Sequence, residues 1–153
     1  MNARQKKFVL TKLIPFILRE QGNGFAMSTW TSKVKGDVVE INAVHSFDNI
    51  ERTKAPSCGT VACIGGSLSV LSGRTLRSVT NLSKLIGITP DQASGLFSRW
   101  EIGDQGADSA WPESFARRFS NADSPLAKAR IAVSLLRRVV KTNGACLDPV
   151  DHE

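Results

Sequence analysis

Apolar residues recur at helical spacing along most of this chain and alternate only once, so the pattern reads as a set of helices around one short β element. Asn2 stands as the N-cap of a first helix running to about Glu20, with Pro15 inside it. A kink or break is therefore expected near Ile14, before Gly22-Asn23-Gly24 ends the element. Asp37-Val38-Val39-Glu40-Ile41-Asn42-Ala43-Val44 alternates weakly and is rich in β-branched residues, which predicts a short strand or small hairpin. Thr60 is expected to cap a helix over 61–71 that contains Gly65 and Gly66, and another helix is expected over 74–86.

The second half carries stronger punctuation. Thr89-Pro90-Asp91-Gln92 joins an N-cap, a first-turn proline and a capping-box glutamine, so a helix should run from there to about Trp100. Pro112 opens a helix to about Ser120, with Phe115 and Phe119 on one side. Ser124-Pro125 opens the last helix, which stops near Asn143-Gly144. Ala129, Ala132, Leu135, Leu136 and Val139 form its apolar stripe, while Arg130, Arg137, Arg138 and Lys141 fall on the opposite side. The expected fold is mainly α, a compact five- to six-helix single domain over 1–146 with at most a small β-hairpin. A flexible acidic tail is expected over 147–153.

Composition narrows the class. A chain of 153 residues fits one domain, and 41% hydrophobic with 22% charged residues is ordinary for a globular protein. The apolar stretch 8–18 follows Lys6 and Lys7 as a secretory signal would. Lys12 interrupts it and Arg19-Glu20 closes it, so it is read as a core helix. No run reaches the roughly 18 apolar residues of a membrane span. The three cysteines, Cys58, Cys63 and Cys146, do not make a disulfide scaffold, and the cytoplasm is the expected compartment. The net charge of +6 is unevenly spread. Residues 1–20 and 125–141 are basic, while Glu101, Asp104, Asp108 and Glu113 make 101–113 acidic. Such basic faces attract nucleic acid or acidic proteins.

The most distinctive motif is Cys58-Gly59-Thr60-Val61-Ala62-Cys63-Ile64-Gly65-Gly66. It puts a thiol just before a helix and another in its first turn, where the helix dipole favours thiolate. A cysteine-dependent hydrolase or transferase would use Cys58 as nucleophile, His45 as base and Asp48 to orient it, because the thiol attacks as a thiolate once a neighbouring base has taken its proton. Zinc would need a fourth ligand beyond His45, Cys58 and Cys63, from Asp48 or Cys146, so no metal or cofactor is assigned. The loop 104–109 lacks the ligand spacing of a calcium site. Residues 85–93 followed by Arg99-Trp100-Glu101-Ile102-Gly103 suggest helix-turn-helix DNA binding, but the residues from Thr89 to Trp100 read as one continuous helix. Trp30, Trp100 and Trp111 are read as core anchors.

Taken together, Phe25-Ala26-Met27-Ser28-Thr29-Trp30, the 58–66 motif, the 85–97 segment, Trp111-Pro112-Glu113-Ser114-Phe115 and Ala129-Arg130-Ile131 resemble an uncharacterised family of small phage and bacterial proteins. Its most specific signature is Cys-Gly-Thr-x-x-Cys-Ile-x-Gly. That family often carries an aromatic or a histidine shortly after the second cysteine, where this chain has Gly66-Ser67. The resemblance implies a fold and a phage or mobile-element source, with no mechanism attached. The leading expectation is an interaction protein that binds a host protein or nucleoprotein complex through Arg130, Arg137, Arg138 and Lys141, with interference in host defence as one purpose. The cysteine enzyme and direct DNA binding are the alternatives.

Overall fold

The computed structural model describes residues 1–25, 31–35, 38–40, 60–72, 79–97 and 111–148, with 31–35, 38–40 and 60–62 described as backbone strands. The first helix begins as expected. Asn2 Oδ1 accepts the Gln5 N–H at 2.9 Å and Gln5 Oε1 accepts the Asn2 N–H at 2.7 Å, a complete capping box. It runs as α1 (Ala3–Phe8), a π turn (Val9–Leu13) and α2 (Ile14–Leu18). Pro15 explains the π turn, because its ring would press on the carbonyl of Thr11 in a regular helix. The chain widens by one residue instead, and the Ile14 N–H reaches back to the Val9 carbonyl.

That helix stops at Leu18, two residues earlier than its sequence suggests. Glu20 (φ 50°), Gln21 (φ 55°) and Gly22 (φ 82°) are all left-handed. Arg19 clamps the bend: its guanidinium donates to the Phe16 carbonyl at 2.6 Å and the Gly24 carbonyl at 3.2 Å, and lies 3.6 Å from the Phe16 ring centroid. Gly22 rests on the start of the last helix, where a Cβ would come within 2.7 Å of the Pro125 carbonyl oxygen.

The β element is a three-stranded antiparallel sheet in the order β2-β1-β3, with β1 (Thr31–Lys35), β2 (Val38–Glu40) and β3 (Thr60–Ala62). Val34 is opposite Val39, and Ser32 is opposite Val61. The expected β element is present over 38–40, but it pairs with an unanticipated strand at 31–35. The sheet gains a third strand from the segment expected to open a helix, so the β part exceeds the small hairpin expected. Thr60 therefore lies in a strand and is not the cap. Cys63 takes that role, its Sγ accepting the Gly66 N–H at 3.3 Å, and α3 runs Ile64–Leu71. A β-branched pair such as Thr60-Val61 suits a strand once a partner is alongside.

Helix α3 is buried from Ile64 through Val70. It packs on α2, the π turn, α4 (Val79–Ile86) and α5 (Pro90–Phe97). Helix α5 starts at the anticipated capping box, with Thr89 Oγ1 accepting the Gln92 N–H at 3.1 Å and Gln92 Oε1 accepting the Thr89 N–H at 3.0 Å. Helices α6 (Glu113–Ser120) and α7 (Pro125–Thr142) form an antiparallel pair. Phe115 near the start of α6 lies by Arg138, and Phe119 near its end lies by Lys128. Ser124 caps α7 through the Ala127 N–H at 3.2 Å. Asn143 (φ 54°) and Gly144 (φ 97°) end it in the left-handed conformation that stops helices.

The described part is mainly α, with six helices once α1, the π turn and α2 are taken as one. They share one core. Leu13, Ile17, Ile64, Leu68, Leu82, Ile86 and Leu96 meet the whole apolar stripe of α7 there, at 0–1% exposure for Ala129, Ala132, Leu135, Leu136 and Val139. Trp111 is a core anchor as read from sequence, its indole N–H donating to the Leu96 carbonyl at 3.1 Å and its ring edge-on to Phe119. Trp30 and Trp100 lie outside the described residues. Leu147, expected in the acidic tail, is buried on a short 3-10 turn (Ala145–Leu147), and 149–153 lie outside the described residues.

Candidate functional site

Helix α7 divides its residues by angle. Each residue turns the helix by about 100°, so positions 130, 137 and 141 fall within roughly 20° of one line. Arg130, Arg137 and Lys141 are all exposed there, with the half-buried Ser134 between them. The line spans about 16 Å of helix axis. Arg138 is also exposed but turned toward α6, its guanidinium 5.8 Å from the Phe115 ring centroid. No acid occurs anywhere in Pro125–Thr142, so nothing within the helix neutralises the row. The fold thus brings all four of the expected binding residues to one side of one rigid element, with the core stripe holding the other side.

Neighbouring contacts fix how α7 is held. Gly22 touches its start at Pro125 and Ala129, while Gly144 at its end packs on Ile88 and Gln92. Gln5 reaches the last turn of α4 by donating to the Lys84 carbonyl at 3.0 Å, and fills the space beside Gly87 (φ 73°). The first helix consequently runs antiparallel to α7, and the basic row lies on a helix braced at both ends.

The cysteine reading fares differently by residue. Cys58, His45 and Asp48 lie outside the described residues, so the proposed dyad and its orienting acid have no geometry here. Cys63 is described, and the dipole argument for a thiolate fails there. Burial pushes its thiol up to about 11, and the N–H of Gly66, which pulls the other way, does not offset the loss of water. At neutral pH this sulfur is a protonated cap. Cys146 is half-buried beside the end of α7, its backbone N–H donating to Thr142 Oγ1 at 3.2 Å. Among the described residues no three His, Cys, Asp or Glu side chains gather as metal ligands would. The acidic residues Glu101, Asp104 and Asp108 are outside the described residues, and Glu113 pairs with Arg117 one turn along α6.

The corner made by α4, residues 87–89 and α5 is where the sequence suggested a helix-turn-helix. Two eight-residue helices meet across a short turn whose Gly87 is left-handed, an outline shared with helix-turn-helix units. Its chemistry points away from phosphate. The described α5 contains no cation, exposes Asp91 and Ser94, and holds the Asp148 carboxylate at its first turn through Gln92 Nε2 at 2.6 Å. Arg99 lies outside the described residues. The basic face of α7 is therefore the better candidate.

No helix among the described residues is long and apolar enough to cross a membrane. Set against known proteins, the chain matches no family model, no curated protein and no solved structure.

Proposed function

We propose that this chain is a non-enzymatic binding module that docks a host protein or nucleoprotein complex through the basic face of α7. The observation that carries the reading is the row of Arg130, Arg137 and Lys141, with Arg138 beside it, on a helix that lacks any acid. Cations on a rigid helix keep their backbone spacing, so binding pays for ordering the side chains but not the scaffold, which favours association with an anionic surface. The resemblance to small phage and bacterial proteins is what suggests a host partner, and interference with host defence is a purpose such a module would serve.

The test is retention on immobilised heparin, a generic polyanion. Reversing the face with R130E, R137E, R138E and K141E together should abolish retention at moderate salt while leaving the far-UV circular dichroism unchanged. A matched reversal at the exposed Arg4, Lys7, Lys84 and Arg118 should retain most of it. Equal loss in both variants would mean that net charge alone, and no particular face, holds the protein on the column.

A further inference from the structure

Resting on that reading of the α7 face, we infer that its occupant is the phosphate backbone of duplex DNA, engaged without regard to sequence. Charge complementarity points to an anion, and the rest of the surface decides which one. A protein interface draws its affinity from a desolvated centre of aromatic and aliphatic anchors inside a polar rim. The α7 face offers no such cluster: beside its cations stand Ser134, Ala127 and one half-buried aliphatic, Leu126, with no aromatic among them. Among the described residues the exposed large hydrophobic is Leu10, which lies on the π turn of the first helix. A polyanion needs no such centre, because neutralised phosphates release condensed counterions and that release drives binding.

The same inventory selects a duplex over a single strand. Single strands are held by aromatic platforms on which bases stack. Beside this face Phe115 is buried, Phe119 is half-buried, and Trp111 is committed to the core. Duplex RNA is recognised by its A-form shape, through contacts across two successive minor grooves that span roughly 16 base pairs, a reach that a single row of about 16 Å does not have. A straight row of three cations about 16 Å long instead matches a rod that carries one negative charge per roughly 1.7 Å of its axis. The face also lacks the Asn or Gln side chains that pair with adenine edges, and its arginines lie along a helix flank braced by α6, so register on the duplex is left free.

Fluorescence anisotropy on a labelled random-sequence DNA duplex, across salt concentrations, tests this. Each phosphate contact contributes about 0.9 to the slope of log affinity against log salt, so three contacts contribute about 2.7, or roughly a 40-fold loss between 50 and 200 mM salt. The variant R130Q/R137Q/K141Q should lose that increment of slope with an unchanged melting temperature. The charge-conserving variant R130K/R137K should keep it. An unaltered slope in the neutral variant would overturn the inference, as would tighter binding to single-stranded DNA or duplex RNA of the same length. If heparin retention depends on the face but the DNA duplex is not bound at low salt, the duplex inference falls and the binding-face reading stands, with an acidic protein surface as the occupant.

Discussion

Helices α3 and α7 use their surfaces in opposite ways. In α3 every residue from Ile64 to Val70 is buried, including Gly65, Gly66, Ser67 and Ser69, so each position answers to packing. In α7 about half the circumference is core and the rest is solvent, so the outer residues are free to answer to a partner. The most distinctive sequence motif leads into the first helix, and the candidate function lies on the second. Conspicuous chemistry in a sequence is therefore no guide to where a small helical protein meets its surroundings; what counts is whether the side chain still sees water after folding.

The largest effect that tests this contrast is Leu68→Ala. Leu68 is fully buried in α3, and truncating such a leucine leaves a cavity costing roughly 2–5 kcal/mol. Urea unfolding should show a loss in that range. A loss below about 1 kcal/mol would mean that α3 is not the enclosed centre of the fold.

The contrast also explains which elements were legible in the sequence. Thr89-Pro90-Asp91-Gln92, Ser124-Pro125 and Asn143-Gly144 act through their own neighbours, so the helix ends they mark are found where expected. The α7 face was legible for the same reason, since helical periodicity alone separates Arg130, Arg137 and Lys141 from the core stripe. Thr60-Val61 was misread because a strand depends on a partner some thirty residues away, and β1 is that partner. The left-handed Glu20 and Gln21 carry no sequence signal, because their bend is imposed by Gly22 against Pro125 and by the Arg19 clamp. Cys63 was misread as activated because a helix start lowers a thiol and burial raises it, and only the fold says which is larger.

Cys63 supplies the next effect. Its thiol is raised from 9.0 to about 11 in the folded chain, so the folded state holds its proton where the unfolded state has released it. Stability from this group is complete below about pH 9 and is lost as pH rises toward 11, by about 2–3 kcal/mol in all. Denaturant midpoints at pH 8 and 10.5 should differ accordingly. The pH-dependent part should shrink in Cys63→Ala. At pH 8, peptide mapping after brief iodoacetamide treatment of the native protein should find Cys63 less labelled than the half-buried Cys146. The reverse order would restore a reactive role to Cys63.

Gly22→Ala sits at the junction between the first helix and α7. The new Cβ would need φ near 82° and would meet the Pro125 carbonyl oxygen at 2.7 Å, so the contact must open or the bend must shift. Holding alanine in that conformation costs about 1–3 kcal/mol. Thermal melts should drop in proportion, whereas heparin retention by the folded protein should change little. A variant as stable as the parent would show that the bend tolerates a side chain, and that α7 is braced at its start by something other than this contact.

The smallest effect separates two residues of the binding face itself. Arg130 is exposed on the outer line, whereas Arg138 leans over the Phe115 ring at 5.8 Å from its centroid. A cation at the face of an aromatic ring near the surface contributes about 0.5–1 kcal/mol. Arg138→Ala should therefore lower stability by that amount, while Arg130→Ala should fall within the roughly 0.5 kcal/mol scatter of surface substitutions. On the binding side the order inverts, because Arg130 lies on the line of three and Arg138 is turned about 80° away from it. Paired urea titrations and salt-dependent retention for the two single variants would show a crossed pattern. If Arg138→Ala instead impaired binding more than Arg130→Ala, the occupied surface would be the groove between α6 and α7 and not the outer row.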